Sequence, residues 1–71
     1  MTDRIILKAT INIWEPGRLG VDYRFEDGTR EAHPITAADW RIIRGLERQG
    51  RVSYIGHKAR KLAEKLRGRL V

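Results

Sequence analysis

From Arg4 to Trp14 apolar and polar residues alternate. Ile5, Leu7, Ala9, Ile11 and Ile13 fall on one face and Lys8, Thr10 and Asn12 on the other, the period-two pattern of a half-buried strand enriched in β-branched residues. Glu15-Pro16-Gly17 suits a type II turn, because Pro presets φ at the second position and Gly accepts a positive φ at the third. A second strand follows over Val21 to Glu26 and a third over Thr29 to His33, joined by Asp27-Gly28, a two-residue hairpin signal.

With that loop, Glu26 stands opposite Thr29, Arg24 opposite Glu31 and Asp22 opposite His33, while Val21, Tyr23, Phe25 and Ala32 take the apolar face. Pairing Ile13 with Val21 sets Ile11 beside Tyr23, Ala9 beside Phe25 and Lys8 opposite Glu26. On this register the outer face cancels its own charge through Lys8/Glu26, Arg24/Glu31 and Asp22/His33.

The pattern then changes period. Thr36-Ala37-Ala38-Asp39 is a capping box with Asp in place of Glu, Ile35 is placed to staple onto Trp40, and Ile42, Ile43 and Leu46 form a stripe at helical spacing. Gly50 fits the left-handed residue after the helix end, so a first helix is predicted over about 37–49. A second apolar stripe, Ile55, Ala59, Leu62, Ala63, Leu66 and Leu70, predicts a final amphipathic helix over 57–71, with Lys58, Lys61 and Lys65 on one flank and Arg60 and Arg67 on the other.

Two readings of residues 51–56 are open. Val52, Tyr54 and Ile55 favour a short fourth strand at 51–55, whereas Ser53 as an N-cap would start the last helix at Tyr54 and leave a helix-turn-helix arrangement. The fold class expected is α+β: a three-stranded antiparallel meander (1–35) followed by two helices (36–50 and 57–71), in one domain.

At 71 residues the chain buries only about 60 to 65 per cent of its unfolded surface, and no cysteine supplies a disulfide or thiolate zinc site. No segment is long and apolar enough for a signal peptide or membrane anchor, so a soluble, cytoplasmic protein is expected. The free edge of the long, apolar first strand makes a homodimer through that edge an expectation.

Charge adds a polarity that the pattern does not show. Residues 1–40 carry five basic against seven acidic groups, a net −2, and residues 41–71 carry ten against two, a net +8. Arg41, Arg44 and Arg48 recur on one side of the first helix, Arg51 follows it, and Tyr54, Lys58, Lys61 and Lys65 lie at or near the start of the last. These eight are the candidate binding residues. Arginine grips phosphate or carboxylate bidentately, although a solvated helix face would also accommodate such a ridge. Trp14, on the polar face of the first strand, is an aromatic contact or a cover for the adjacent loop.

Catalytic chemistry finds no constellation. Ser53 lacks a nucleophile-elbow setting, Gly17-Arg18-Leu19-Gly20 lacks phosphate-loop spacing, and His33 and His57 stand isolated. No catalytic residue, metal or cofactor is therefore assigned. The function expected is a small basic nucleic-acid-binding accessory or regulatory protein acting on DNA or RNA. The alternative is a small inhibitor or adaptor, of the type carried by phages and mobile elements (an anti-defence protein, for example), docking on an acidic protein surface.

Overall fold

The computed structural model describes residues 4–69, with side chains through Leu66, so Leu70 of the expected stripe and the Arg67 side chain lie outside the described residues. The elements are β1 (Ile6–Glu15), β2 (Arg18–Phe25), β3 (Arg30–Pro34), α1 (Ala37–Arg48), β4 (Val52–Tyr54) and α2 (His57–Arg69). They form an α+β fold in which a four-stranded mixed sheet, ordered β3-β2-β1-β4, carries both helices on one face. Residues 52–54 resolve the open segment as a strand. β4 pairs in parallel with β1, matching Ala9 with Val52, Thr10 with Ser53 and Ile11 with Tyr54.

The helix-turn-helix alternative does not form. β4 also takes the middle of the β1 edge that was expected to be free for self-association, so β1 is a central strand. β3 and β4 run in the same direction at opposite edges of the sheet, and α1 is the crossover between them.

The core lies between the inner sheet face (Ala9, Ile11, Leu19, Val21, Tyr23, Phe25) and the helices (Ile43, Leu46, Ala59, Ala63). Alanine at both buried α2 positions lets that helix approach the strands closely, and Leu62 and Leu66 pack alongside. The α1 start forms as its sequence predicts. Thr36 accepts from the Asp39 N–H at 3.3 Å, and the Thr36 N–H donates to Asp39 Oδ2 at 2.8 Å. Its end is a Schellman motif, in which the Gly50 N–H bonds Glu47 O at 3.0 Å and the Arg51 N–H bonds Leu46 O at 2.9 Å.

Three features of the sheet depart from the strand alternation. First, β1 and β2 pair two residues away from expectation, with Ile11 opposite Val21, Ala9 opposite Tyr23 and Ile13 opposite Leu19. The Pro16-Gly17 turn is tight, with Gly17 at φ 78, so β2 already starts at Arg18 and Leu19 becomes core. A type II turn splays its strands, and the irregularity at Trp14, between Ile13 and Glu15, restores twist. Because the shift is even, faces are preserved.

Second, β1 bulges at Leu7, between Ile6 and Lys8. The extra residue inverts the strand start: Ile6 packs on the core, while Ile5 and Leu7 are 58% and 42% exposed. Ile13, beyond the centre of the sheet, is 43% exposed.

Third, the β2–β3 hairpin is one residue away from expectation. Arg24 faces Arg30, Tyr23 faces Glu31, Asp22 faces Ala32 and Val21 faces His33. A two-residue Asp-Gly loop of the type I′ kind requires positive φ at both positions, yet among the described residues only glycines have positive φ. Instead the Gly28 N–H bonds Phe25 O at 3.0 Å and the Phe25 N–H bonds Thr29 O at 2.9 Å, a three-residue loop with Gly28 left-handed at φ 89. Asp27 stabilises it by accepting from the Thr29 N–H at 2.9 Å and the Thr29 hydroxyl at 2.6 Å. These bonds hold its carboxyl below the usual range.

An odd shift flips every β3 side chain, so the pairs Arg24/Glu31 and Asp22/His33 are replaced, while the two-residue shift of β1 on β2 sets Lys8 against Arg24 in place of Glu26. His33 turns inward to Asp39, whose carboxylate also accepts from the Tyr23 hydroxyl at 2.7 Å and the Thr36 hydroxyl at 2.8 Å, with His33 Nε2 at 3.0 Å. Burial alone would raise the Asp39 pKa. The Thr36 N–H, the Tyr23 hydroxyl, His33 and the Thr36 hydroxyl together overcome that and hold it below the usual carboxylate range. Burial, followed by the bond and charge of Asp39 and the charge of Glu31, pushes the Tyr23 phenol upward. Arg4 completes the cluster, 2.7 Å from Glu31 and 4.0 Å above the Phe25 ring. Asp39 is thus the polar rivet between sheet and helix.

Candidate nucleic-acid interface

The seven basic side chains named from the sequence are all exposed: Arg41, Arg44 and Arg48 on α1, Arg51 after it, and Lys58, Lys61 and Lys65 on α2. None of them is in an ion pair among the described residues. Tyr54 is placed differently. It lies on β4 facing inward, and its hydroxyl donates to Glu47 Oε1 at 3.1 Å with the Arg60 guanidinium 5.9 Å from its ring. Burial is the main reason its phenol is pushed up, with Glu64 adding to the rise and Arg60 opposing it.

A cavity of about 130 Å³ lined by Glu47, Tyr54, Arg60, Ala63 and Glu64 marks the seam between the helices. Both acidic residues of the second half therefore sit at this seam. Helical periodicity places Lys58, Lys61 and Lys65 on the flank away from Arg60, so the arginine ridge of α1 and the lysine row of α2 are separated by Glu47 and Glu64 rather than merged.

The other sheet face is covered by neither helix and carries a second basic group that strand alternation had cancelled. Lys8, Arg24 and Arg30 stand directly opposite one another on β1, β2 and β3, all exposed. With Thr10 and Asp22 they line a dish of about 230 Å³. Asn12 and Ser53 share this face by register. What the sequence offered toward this row was Asp27 two residues before Thr29, whose Asx-type bonds favour the three-residue loop Glu26-Asp27-Gly28 over the two-residue turn.

Trp14 lies on the same face. It is 47% exposed, and its ring packs over Gly20, where an added Cβ would come 2.4 Å from Trp14 Cε3 and 3.0 Å from Asn12 Oδ1. A side chain at Gly20 must therefore displace the ring. In a Trp40→Phe background, Gly20→Val is expected to red-shift the remaining tryptophan emission and increase its quenching by acrylamide. An unchanged spectrum would mean that Trp14 does not rest there.

The described residues contain no group of three or more His, Asp or Glu placed to hold a metal ion, and no helix long and apolar enough to cross a membrane. Comparison with protein-family models, curated proteins and solved structures finds no match to this chain.

Proposed function

We propose that this is a small nucleic-acid-binding protein of accessory or regulatory type, which neutralises phosphates with exposed basic side chains. The supporting observation is an asymmetry of commitment. Glu31, Asp39, Glu15, Asp27 and Glu47 are engaged by Arg4, Tyr23, Arg18, Thr29 and Tyr54, whereas Arg41, Arg44, Arg48, Arg51, Lys58, Lys61 and Lys65 are in no ion pair among the described residues. Internal pairing thus leaves the positive field outward, where it attracts a polyanion.

Binding is expected to be strongly salt-dependent. If about five side chains meet duplex phosphates, log K falls with log[salt] at a slope near −4.5. Fluorescence anisotropy of labelled oligonucleotides from about 20 to 300 mM salt measures this, and absence of binding at the lowest salt overturns the proposal. A stoichiometric protein partner captured from lysate and surviving nuclease treatment would favour the acidic-surface alternative.

A further inference from the structure

We propose that the uncovered face of the sheet is a platform for single-stranded nucleic acid, on which Lys8, Arg24 and Arg30 take phosphates and Trp14 stacks on a base. This rests on the nucleic-acid reading above and names the surface and the strand state. Three cations opposite one another on adjacent strands about 4.8 Å apart repel each other, an arrangement that costs stability unless an anion occupies it. Asp22, beside them, leaves the cluster at a net +2, and Lys8, Arg24 and Arg30 have no ion pair among the described residues.

The same dish holds an unpaired acceptor, since Asp22 Oδ1 is buried and makes no hydrogen bond among the described residues. Such an atom requires a donor. A bare phosphate has none to offer, whereas a nucleobase carries amino or imino N–H groups beside its phosphate. The basic row and the orphan acceptor are therefore satisfied by one ligand chemistry.

Trp14 supplies the third element. The lack of a side chain at Gly20 lets the indole lie against the strand while nearly half of it remains open. It lies six positions along the strand from Lys8, roughly 20 Å, and Thr10 and Asn12 on the intervening stretch offer neutral hydrogen-bonding groups. An aromatic on an open sheet with a cationic row at a distance suits unstacked bases on a tracked backbone. In a duplex the base faces are already occupied.

The test compares three proteins by anisotropy at 50 mM salt and across a series from about 20 to 300 mM, with oligo(dT) and mixed-sequence 20-mers as single strands and the matched duplex. They are the wild-type chain, the sheet variant Lys8→Thr/Arg24→Thr/Arg30→Thr and the helix variant Arg41→Gln/Arg44→Gln/Arg48→Gln. The sheet variant is expected to lose about 30-fold or more in single-strand affinity and to shorten the salt slope by about 2, at about 0.7 per phosphate, whereas the helix variant is expected to lose about 3-fold or less for single strands and to weaken mainly on the duplex. In a Trp40→Phe background, single strands are expected to quench Trp14.

Relief of the like-charge row predicts a melting temperature for the sheet variant no lower than wild type, which separates lost contacts from lost fold. If wild type binds neither strand form, the nucleic-acid reading fails and takes this inference with it. If the helix variant loses binding and the sheet variant keeps it, the reading stands and the sheet platform is overturned. Preference of the wild-type protein for the duplex, or absence of Trp14 quenching, also overturns it.

Discussion

Asp39→Ala is expected to lower the stability of this fold by about 3 kcal/mol, the sum of two losses at one carboxylate. The α1 N-terminus loses the acceptor of its reciprocal cap, worth about 1 kcal/mol. The buried Tyr23 hydroxyl and the part-buried His33 lose theirs, which costs about 1–3 kcal/mol when a buried donor is left unsatisfied. A domain of this size has roughly 4–10 kcal/mol to lose, so the melting temperature should fall by roughly 10–20 °C.

Tyr23→Phe removes one donor and leaves Asp39 its Thr36 and His33 partners, so about 1 kcal/mol is expected from it. Urea and thermal denaturation followed by circular dichroism measure both changes, and a loss below about 1 kcal/mol for Asp39→Ala would remove the rivet from the account of the fold.

The same carboxylate sets a pH signature. Its pKa is depressed in the folded state, so its contribution is fully present above the ordinary unfolded value of about 3.9 and is lost as pH falls through the lower folded value. Tyr23, His33, Glu31 and Arg4 lie in the same cluster. The difference between wild type and Asp39→Asn isolates Asp39 from them. That difference should be constant above about pH 5 and should narrow below about pH 4.

The second large effect concerns β1. Ile11→Ala is expected to cost about 3 kcal/mol, since Ile11 is fully buried between Val21 and Tyr54 in the middle of the sheet and truncation leaves a cavity there. Ile5→Ala and Leu7→Ala should each cost less than about 1 kcal/mol, because the bulge at Leu7 turns both outward. Strand alternation alone puts all three on one buried face and predicts comparable losses. Equal destabilisation by the three substitutions would place the bulge elsewhere.

These contrasts mark where sequence patterning succeeds and where it stops. The α1 boundaries, its capping box and its left-handed terminator were readable because each depends on residues within one or two helical turns: Thr36 with Asp39, and Leu46 and Glu47 with Gly50 and Arg51. The apolar stripe of α2 was readable from Ala59 to Leu66 for the same reason, whereas Ile55, expected to begin it, precedes the helix and is exposed, as is Ile42 of the stripe expected on α1. The polarity of charge between the halves is a property of composition, and the exposure of the seven basic side chains followed it. Tyr54 did not, because a segment of three residues becomes a strand only when a partner edge is offered, and that edge belongs to β1, more than forty positions earlier.

The sequence by itself determined the α+β class, the order of elements through α1, the α1 caps and the basic second half, all of them consequences of local periodicity, near-neighbour hydrogen bonds or composition. Only the tertiary structure decided which way β3 faces, where β1 bulges and what lies along its edge. Side chains on a strand alternate with period two, so a loop of three residues in place of two at Asp27-Gly28 inverts every β3 position. That inversion carries His33 inward to Asp39 and sets Arg30 beside Arg24 and Lys8. An outer face whose charges cancel on the alternation becomes, by one residue of register at β3 and two at β1, a basic one.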